Sequence, residues 1–178
     1  MRIKQTVFLL CLGFAFLFTS CFGGTTYWID NPTDQAIEVS IDGETPVTIN
    51  AKEFKKMDNT LSLGEHSMKI TNGQEVKFNL DKDHVILNPT LSTYVIALQE
   101  YGVGMQSTKN DTIFEIDGNE YAGPFKPSSA PFIYSGDAHY LIDKPFPDEI
   151  KTSKAGTSTL RKIFRKAEFI EFYNKEYQ

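Results

Sequence analysis

The stretch Ile37-Glu38-Val39-Ser40-Ile41-Asp42-Gly43-Glu44-Thr45-Pro46-Val47-Thr48-Ile49 decides the fold. Ile37, Val39 and Ile41 alternate with Glu38, Ser40 and Asp42, the period of a strand with one buried face and one wet face. Asp42-Gly43 reads as a hairpin turn, because the tightest hairpins need positive φ at both central positions. Val47 and Ile49 begin the return strand. The same pattern runs outward in both directions. Upstream, Tyr27-Trp28-Ile29 opens the folded part, and Asp30 to Asp34 turns the chain. Downstream, Phe54 and Met57 fall in a lysine-rich connection, and Leu61 and Leu63 alternate before Gly64. Met68 and Ile70 precede the turn Asn72-Gly73, and Val76, Phe78 and Leu80 follow it. Val85-Ile86-Leu87 leads to Asn88-Pro89-Thr90, and Tyr94 to Leu98 form a further apolar strand.

Short strands at intervals of roughly 8 to 12 residues, with no long helix, predict a mainly β chain: a small sandwich or barrel of antiparallel strands. Asn-Pro-Thr occurs at Asn31 and again at Asn88, each time before an alternating strand. We read these as two similar strand entries, in which Pro holds the preceding Asn extended at a sheet edge. From Tyr101 to Asp111 the chain turns Gly-rich and polar, which marks a linker or long loop. Ile113 to Ile116 forms a strand, and Asp117-Gly118-Asn119 is a second hairpin-type turn. Tyr121 to Pro147 is rich in Pro and aromatics, with short strands expected at 132–136 and 139–143; Pro145 and Pro147 exclude a helix there.

The C-terminal segment has two readings. Leu160, Ile163, Phe164, Ala167 and Ile170 fit one long helix; alternatively a strand over Thr159–Arg165 precedes a short helix from Lys166. The second is preferred, because the stretch from Lys166 starts like a fresh helix and Thr159 to Phe164 lacks a cap. The expected division is a β-sandwich-like domain over 27–105 and a β and loop region over 106–178, packed on the first and ending in one short helix.

The N-terminus carries an address. Arg2 and Lys4 precede an apolar run from Val7 to Phe18, which suits a secretory signal and is too short to span a bilayer. The run ends in Phe18-Thr19-Ser20-Cys21. This resembles the lipobox of bacterial lipoproteins, with Phe18 in place of the usual Leu. The resemblance implies that residues 1–20 are a signal peptide, that Cys21 is acylated and that 21–26 is a tether. Each buried methylene of an acyl chain contributes about 0.8 kcal/mol, so several chains hold a domain on a membrane. Phe22 stands where an Asp would resemble an inner-membrane retention signal, and Phe22 to Thr26 has no acidic cluster of the kind that resembles a surface-export signal in Bacteroidota. The expected location is the periplasmic face of the outer membrane.

Ile37 to Ile70 resembles the small β-modules of the PEGA type through Asp42-Gly43, Pro46 and Gly64-Glu65-His66. That resemblance implies an accessory envelope module without catalysis.

Removing Arg2 and Lys4 from 18 basic side chains, against 23 acidic ones, takes the net charge from −5 to −7. An acidic chain does not neutralise phosphates, so nucleic acid is not an expected partner, and the lipid alone should make the membrane link. Cys11 leaves with the signal and Cys21 is acylated, which excludes a disulfide, a Cys nucleophile and a thiolate metal site. No cofactor motif and no metal-ligand spacing is present. His84 follows Asp81-Lys82-Asp83, but the series lacks the glycine and terminal glutamate of a calcium loop. His66 lies in a turn. Ser135, Asp137 and His139 would share one face of a strand, a low-ranked catalytic arrangement without a nucleophile elbow. Aromatics beside acids between Tyr121 and Phe146 offer a sugar-binding surface. Asp111-Thr112-Ile113 resembles the O-glycan acceptor of Bacteroidota, with Thr112 as the modified residue.

The expected function is therefore a membrane-anchored envelope lipoprotein with a non-enzymatic binding or structural role. Its partner would be a protein or an envelope polymer, in an immunity or inhibitor relation for example. The alternatives are a glycan-binding lipoprotein and a hydrolase of envelope polymers.

Overall fold

The computed structural model describes residues 24–101, 112–146 and 158–177. The described chain is mainly β, with one short C-terminal helix, and its sheets form packed sandwiches rather than a closed barrel. The strands are β1 (Thr25–Asp30), β2 (Ile37–Ile41), β3 (Val47–Ile49), β4 (Phe54–Leu61), β5 (Gly64–Ile70), β6 (Glu75–Leu80), β7 (Val85–Leu87), β8 (Tyr94–Tyr101), β9 (Thr112–Ile116), β10 (Asn119–Gly123), β11 (Phe125–Ser128), β12 (Phe132–Tyr134) and β13 (Ser158–Arg165); the helix, α1, is Lys166–Tyr177. The preferred C-terminal reading holds: strand to Arg165, helix from Lys166.

The sheets stack in layers. The central sheet has the order β12-β7-β1-β4. One of its faces packs Tyr27, Ile29, Val85 and Leu87 against Val39, Ile41, Met68 and Phe78 of the sheet β3-β2-β5-β6. Its other face packs Trp28, Ile86 and Ile133 against Tyr94, Ile96 and Ile163 of the sheet β11-β8-β13. The far side of that third sheet, through Val95, Ala97, Phe125 and Phe164, is covered by Phe169 of α1 and by Ile116 and Tyr121 of the β9–β10 hairpin. This layering explains Val85-Ile86-Leu87: all three are fully buried because both faces of β7 meet a core.

The two Asn-Pro-Thr stretches are equivalent places in two halves built on one plan. β1 and β7 lie parallel at the centre, with antiparallel β4 and β12 outside them. β2 is flanked by β3 and β5, as β8 is by β11 and β13. The order β12-β7-β1-β4 reads alike from either end and the partner sheets lie on opposite faces, so a half-turn about the strand direction relates the halves. The second half inserts the β9–β10 hairpin between β8 and β11, and α1 follows β13 where β6 follows β5.

Each Asn closes its half in the same way. The Asn31 backbone N–H donates to Glu53 O at 2.9 Å and that of Asn88 to Pro131 O at 2.7 Å, in each case the residue before the outer strand. The Asn31 amide donates to the carbonyls of Gln35, Ile49 and Asn50, and the Asn88 amide to those of Ser92 and Ala130. Their Oδ1 atoms accept from Thr33 and from Thr90 and Ser92. Both side chains are fully buried, so truncation leaves buried carbonyls without donors. Asn31→Ala and Asn88→Ala should each cost about 1–3 kcal/mol in urea unfolding; a neutral Asn88→Ala would refute the equivalence.

Several expectations need correction. The tether ends earlier than 26: β1 starts at Thr25, whose buried side chain donates to Asp83 Oδ1 at 2.9 Å. Gly24 is exposed but passes close to Thr60, since a Cβ there would meet Thr60 Oγ1 at 2.0 Å. Phe54 and Met57 belong to strand β4, whose lysines face solvent on a sheet edge, where such charges discourage further pairing. Residues 139–143 make only a one-residue bridge, Tyr140 to Lys162, rather than a strand. The division expected at 105 is crossed by hydrogen-bonded sheets, since β8 pairs with β11 and β13, and β7 with β12. The polar stretch 102–111 and the signal region through Cys21 lie outside the described residues.

Asp42-Gly43 is a tight turn, with φ of 51° and 75°, closed by Glu44 N–H to Ile41 O at 2.9 Å. Buried His66 braces it from β5. Its Nδ1 lies 2.7 Å from Asp42 Oδ2 and its Nε2 2.8 Å from Ser62 O. Both partners only accept, so the ring bonds both when each nitrogen carries hydrogen. Burial raises the Asp42 pKa, but hydrogen bonds from His66 and the Ser67 N–H outweigh it, and the carboxyl sits below its ordinary 3.8. A depressed carboxylate contributes stability that is complete above 3.8 and is lost as pH falls through the lower folded value. Asp42→Asn should therefore flatten the loss of urea stability in acid below pH 3.8. An unchanged acid limb would show that the carboxylate contributes nothing there.

Candidate functional site

The described residues hold one cleft that combines buried charge with aromatic walls. β13 supplies Lys162 and Phe164, two residues apart and therefore on one face of the strand. α1 supplies Glu168, Glu171, Phe172, Lys175 and Glu176, a helical face at spacings of three and four. The segment Ile142 to Phe146 forms the opposite wall, and the cleft encloses about 400 Å³.

Lys162 is buried at its floor. Its ammonium lies 4.7 Å from the Phe164 ring centroid and donates to Leu141 O at 3.1 Å, Lys144 O at 2.8 Å and, more weakly, Ile163 O at 3.5 Å. Burial lowers its pKa, against the charges of Glu168 and Asp143, which raise it. Burial likewise pushes the Glu168 carboxyl up, with Arg165 and Lys162 opposing. Three carbonyls surround the Lys162 nitrogen, so its hydrogens are taken up within the fold. It is a structural cation that pins the 141–144 segment over β13. Glu176 pairs with Lys175 at 3.1 Å, so the chemistry left for a ligand is that of Asp143 and Glu171 beside the rings of Phe146 and Phe172. Carboxylates and aromatic faces together suit an ammonium, a guanidinium or a set of hydroxyls.

Of the residues ranked from the sequence, Asp137 and His139 line one open cleft together with Arg161, and Ser135 does not join them there. Asp137 pairs with Arg161 Nη1 at 3.0 Å, and His139 Nδ1 accepts from the Arg161 N–H at 3.2 Å. Ser135 is buried and donates to His84 O at 3.0 Å, so its hydroxyl serves the loop rather than His139. His84 takes a positive φ of 61° between two strands, with its N–H on Thr25 Oγ1. The aromatic segment is mostly interior: Tyr121, Phe125 and Phe132 pack in the cores, which leaves Phe146 as its contribution to the cleft. Thr112 is exposed at the head of β9, with its hydroxyl turned to the carbonyls of Phe125 and Gly123. Among the described residues no group of His, Cys, Asp and Glu is arranged to hold a metal.

Sequence reading missed Lys162 and Glu168. The signal was present: Leu160, Lys162 and Phe164 alternate on one face, and a lysine at an inward position of an apolar strand needs a buried partner. No protein-family model, curated protein or solved structure matches this chain.

Proposed function

We propose that the protein is a membrane-anchored envelope lipoprotein, held through acylated Cys21 at the periplasmic face of the outer membrane, whose work is binding. The observation that carries the binding role is the cleft beside α1, where Asp143 and Glu171 stand next to Phe146 and Phe172 over Lys162, whose ammonium is held by backbone carbonyls. It suits a partner that presents a basic side chain. A net charge of −7 after signal removal favours the same class, since complementary charge guides encounter. A basic envelope protein or toxin, covered in an inhibitor relation, is the specific form of this reading.

A photoreactive phenylalanine analogue at Glu171, in cells, tests it, with one at exposed Glu75 as control. A discrete adduct from position 171 alone is expected. No adduct at 171, or the same adducts from both positions, would reject the cleft as a binding site. The glycan-binding alternative rests on Phe146 and Phe172 stacking a sugar, and loss of the adduct on adding soluble envelope glycan would select it. The anchor is tested separately: Cys21→Ser should leave the membrane fraction or accumulate as precursor, and mature Cys21→Ser in the outer-membrane pellet would refute acylation.

A further inference from the structure

We infer that one end of the sandwich, the end carrying Leu63, Lys82 and Tyr134, lies against the bilayer surface that holds the acyl chains. The inference rests on the reading of Cys21 as the anchor. It draws on the place of Thr25 in the fold, four residues after Cys21. The step from Cys21 to Thr25 is four residues, which reach at most about 14 Å when fully extended. Thr25 cannot lengthen that reach by peeling away cheaply. It pairs with Leu61 in the central sheet, it is buried, and its side chain bonds Asp83. The anchor therefore ties down one particular end of β1.

Topology names what shares that end. β4 runs antiparallel to β1, so its last residue, Leu61, and the turn through Leu63 lie beside Thr25. β7 runs parallel to β1, so Asp81 to His84, just before Val85, lie there too. β12 is antiparallel to β7, with Tyr134 opposite Val85. The opposite end carries both Asn-Pro-Thr loops and is farther from the anchor by the rise of β1, about 17 Å.

The chemistry of the tied end is compatible with a headgroup layer. Leu63 is an exposed apolar side chain, and Lys82 lies 5.5 Å from the Tyr134 ring centroid. Tyrosine and lysine, each apolar along the body and polar at the tip, sit well at such an interface. Three acids at this end are engaged, Asp81 by the Tyr134 hydroxyl, Asp83 by Thr25 and Asp137 by Arg161, while Glu65 beside Leu63 and Glu44 of the Asp42-Gly43 turn are exposed. Exposed apolar surface does not decide the matter by itself, because Leu91 at the opposite end is as exposed as Leu63, 44% against 46%. The tether decides it, and the two leucines make a matched pair of probes.

The full chain is acylated in a bacterial host and reconstituted in phosphatidylethanolamine and phosphatidylglycerol vesicles that contain a headgroup nitroxide lipid. Leu63→Cys and Leu91→Cys are each labelled with a thiol fluorophore. With Cys11 removed and Cys21 acylated, the new thiol is unique. Quenching at position 63 is expected to exceed that at 91 several-fold. Equal quenching, or stronger quenching at 91, in protein whose mass includes the acyl chains would overturn the orientation and leave the anchor standing. A mass without acyl chains would overturn the anchor and the orientation with it.

Discussion

Replacing Arg165 by alanine should destabilise the protein by about 3–5 kcal/mol, the cost of leaving a buried charge without its partner. Asp30 is fully buried at the end of β1. Its Oδ1 accepts from Arg165 Nη2 at 2.6 Å, and its Oδ2 accepts from Arg165 Nε at 3.1 Å and from the Tyr94 hydroxyl at 2.5 Å. Burial, then the charge of Asp30, pushes the Tyr94 phenol far above its usual range, so it remains a donor. Arg165 also donates to Lys52 O at 2.9 Å and faces Glu168. These contacts join the first strand of one half to the last strand of the other. A domain is stable by only about 5–15 kcal/mol, so Arg165→Ala should lower the urea midpoint steeply. Arg165→Lys keeps the charge and loses the two-pronged geometry, and should recover only part of the loss. The pairing registers set Asp30 opposite Phe54 as they set Leu87 opposite Phe132, so leucine is what the other half carries at this place. Asp30→Leu combined with Arg165→Met should therefore be milder than Arg165→Ala alone. A double variant as unstable as the single would show that the cost is lost packing rather than a stranded carboxylate.

This ion pair marks the limit of what could be read from the sequence. Alternation exposed β2, β5 and β6, because each has one wet face. Turn chemistry exposed Asp42-Gly43 and Asp117-Gly118, which take positive φ in the fold. β4 was hidden because it is an edge strand, and the lysines that protect the edge read as a loop. The two Asn-Pro-Thr stretches were visible as a pattern, but their equivalence depends on pairings between strands far apart in the chain. No local pattern records that Asp30 meets Arg165 across 135 positions. For the candidate site, the helix face was legible from Lys166 onward. The cleft was not, since its other wall is the irregular segment 142–146 and its floor is set by the strand that α1 follows. The aromatics of Tyr121 to Phe146 invited a ligand reading because a β core and a sugar platform draw on the same residues.

Phe169→Ala should cost about 3–5 kcal/mol, the range for emptying a buried aromatic site. It should also remove the cleft. Phe169 is the fully buried residue of α1, and its ring lies 5.0 Å from Phe125, 5.4 Å from Tyr121, 5.9 Å from Phe114 and 6.3 Å from Phe164, centroid to centroid. One side chain thus fastens the helix to the third sheet and the β9–β10 hairpin at once. A helix of 12 residues is marginal in water without tertiary contacts. Losing the anchor should release Glu171 and Phe172 from the wall opposite Phe146, while the core around Tyr27 and Ile29, on the far face of the central sheet, keeps its packing. The expected signature is selective: faster amide exchange along α1 and the β9–β10 hairpin, protection retained in β1, β2 and β5, and loss of the adduct at position 171. Phe169→Leu, which refills most of the volume, should restore both the exchange pattern and the adduct. Uniform loss of protection through all the sheets would mean that the protein unfolds as one cooperative unit. An adduct that persists with α1 undocked would place binding somewhere other than the cleft.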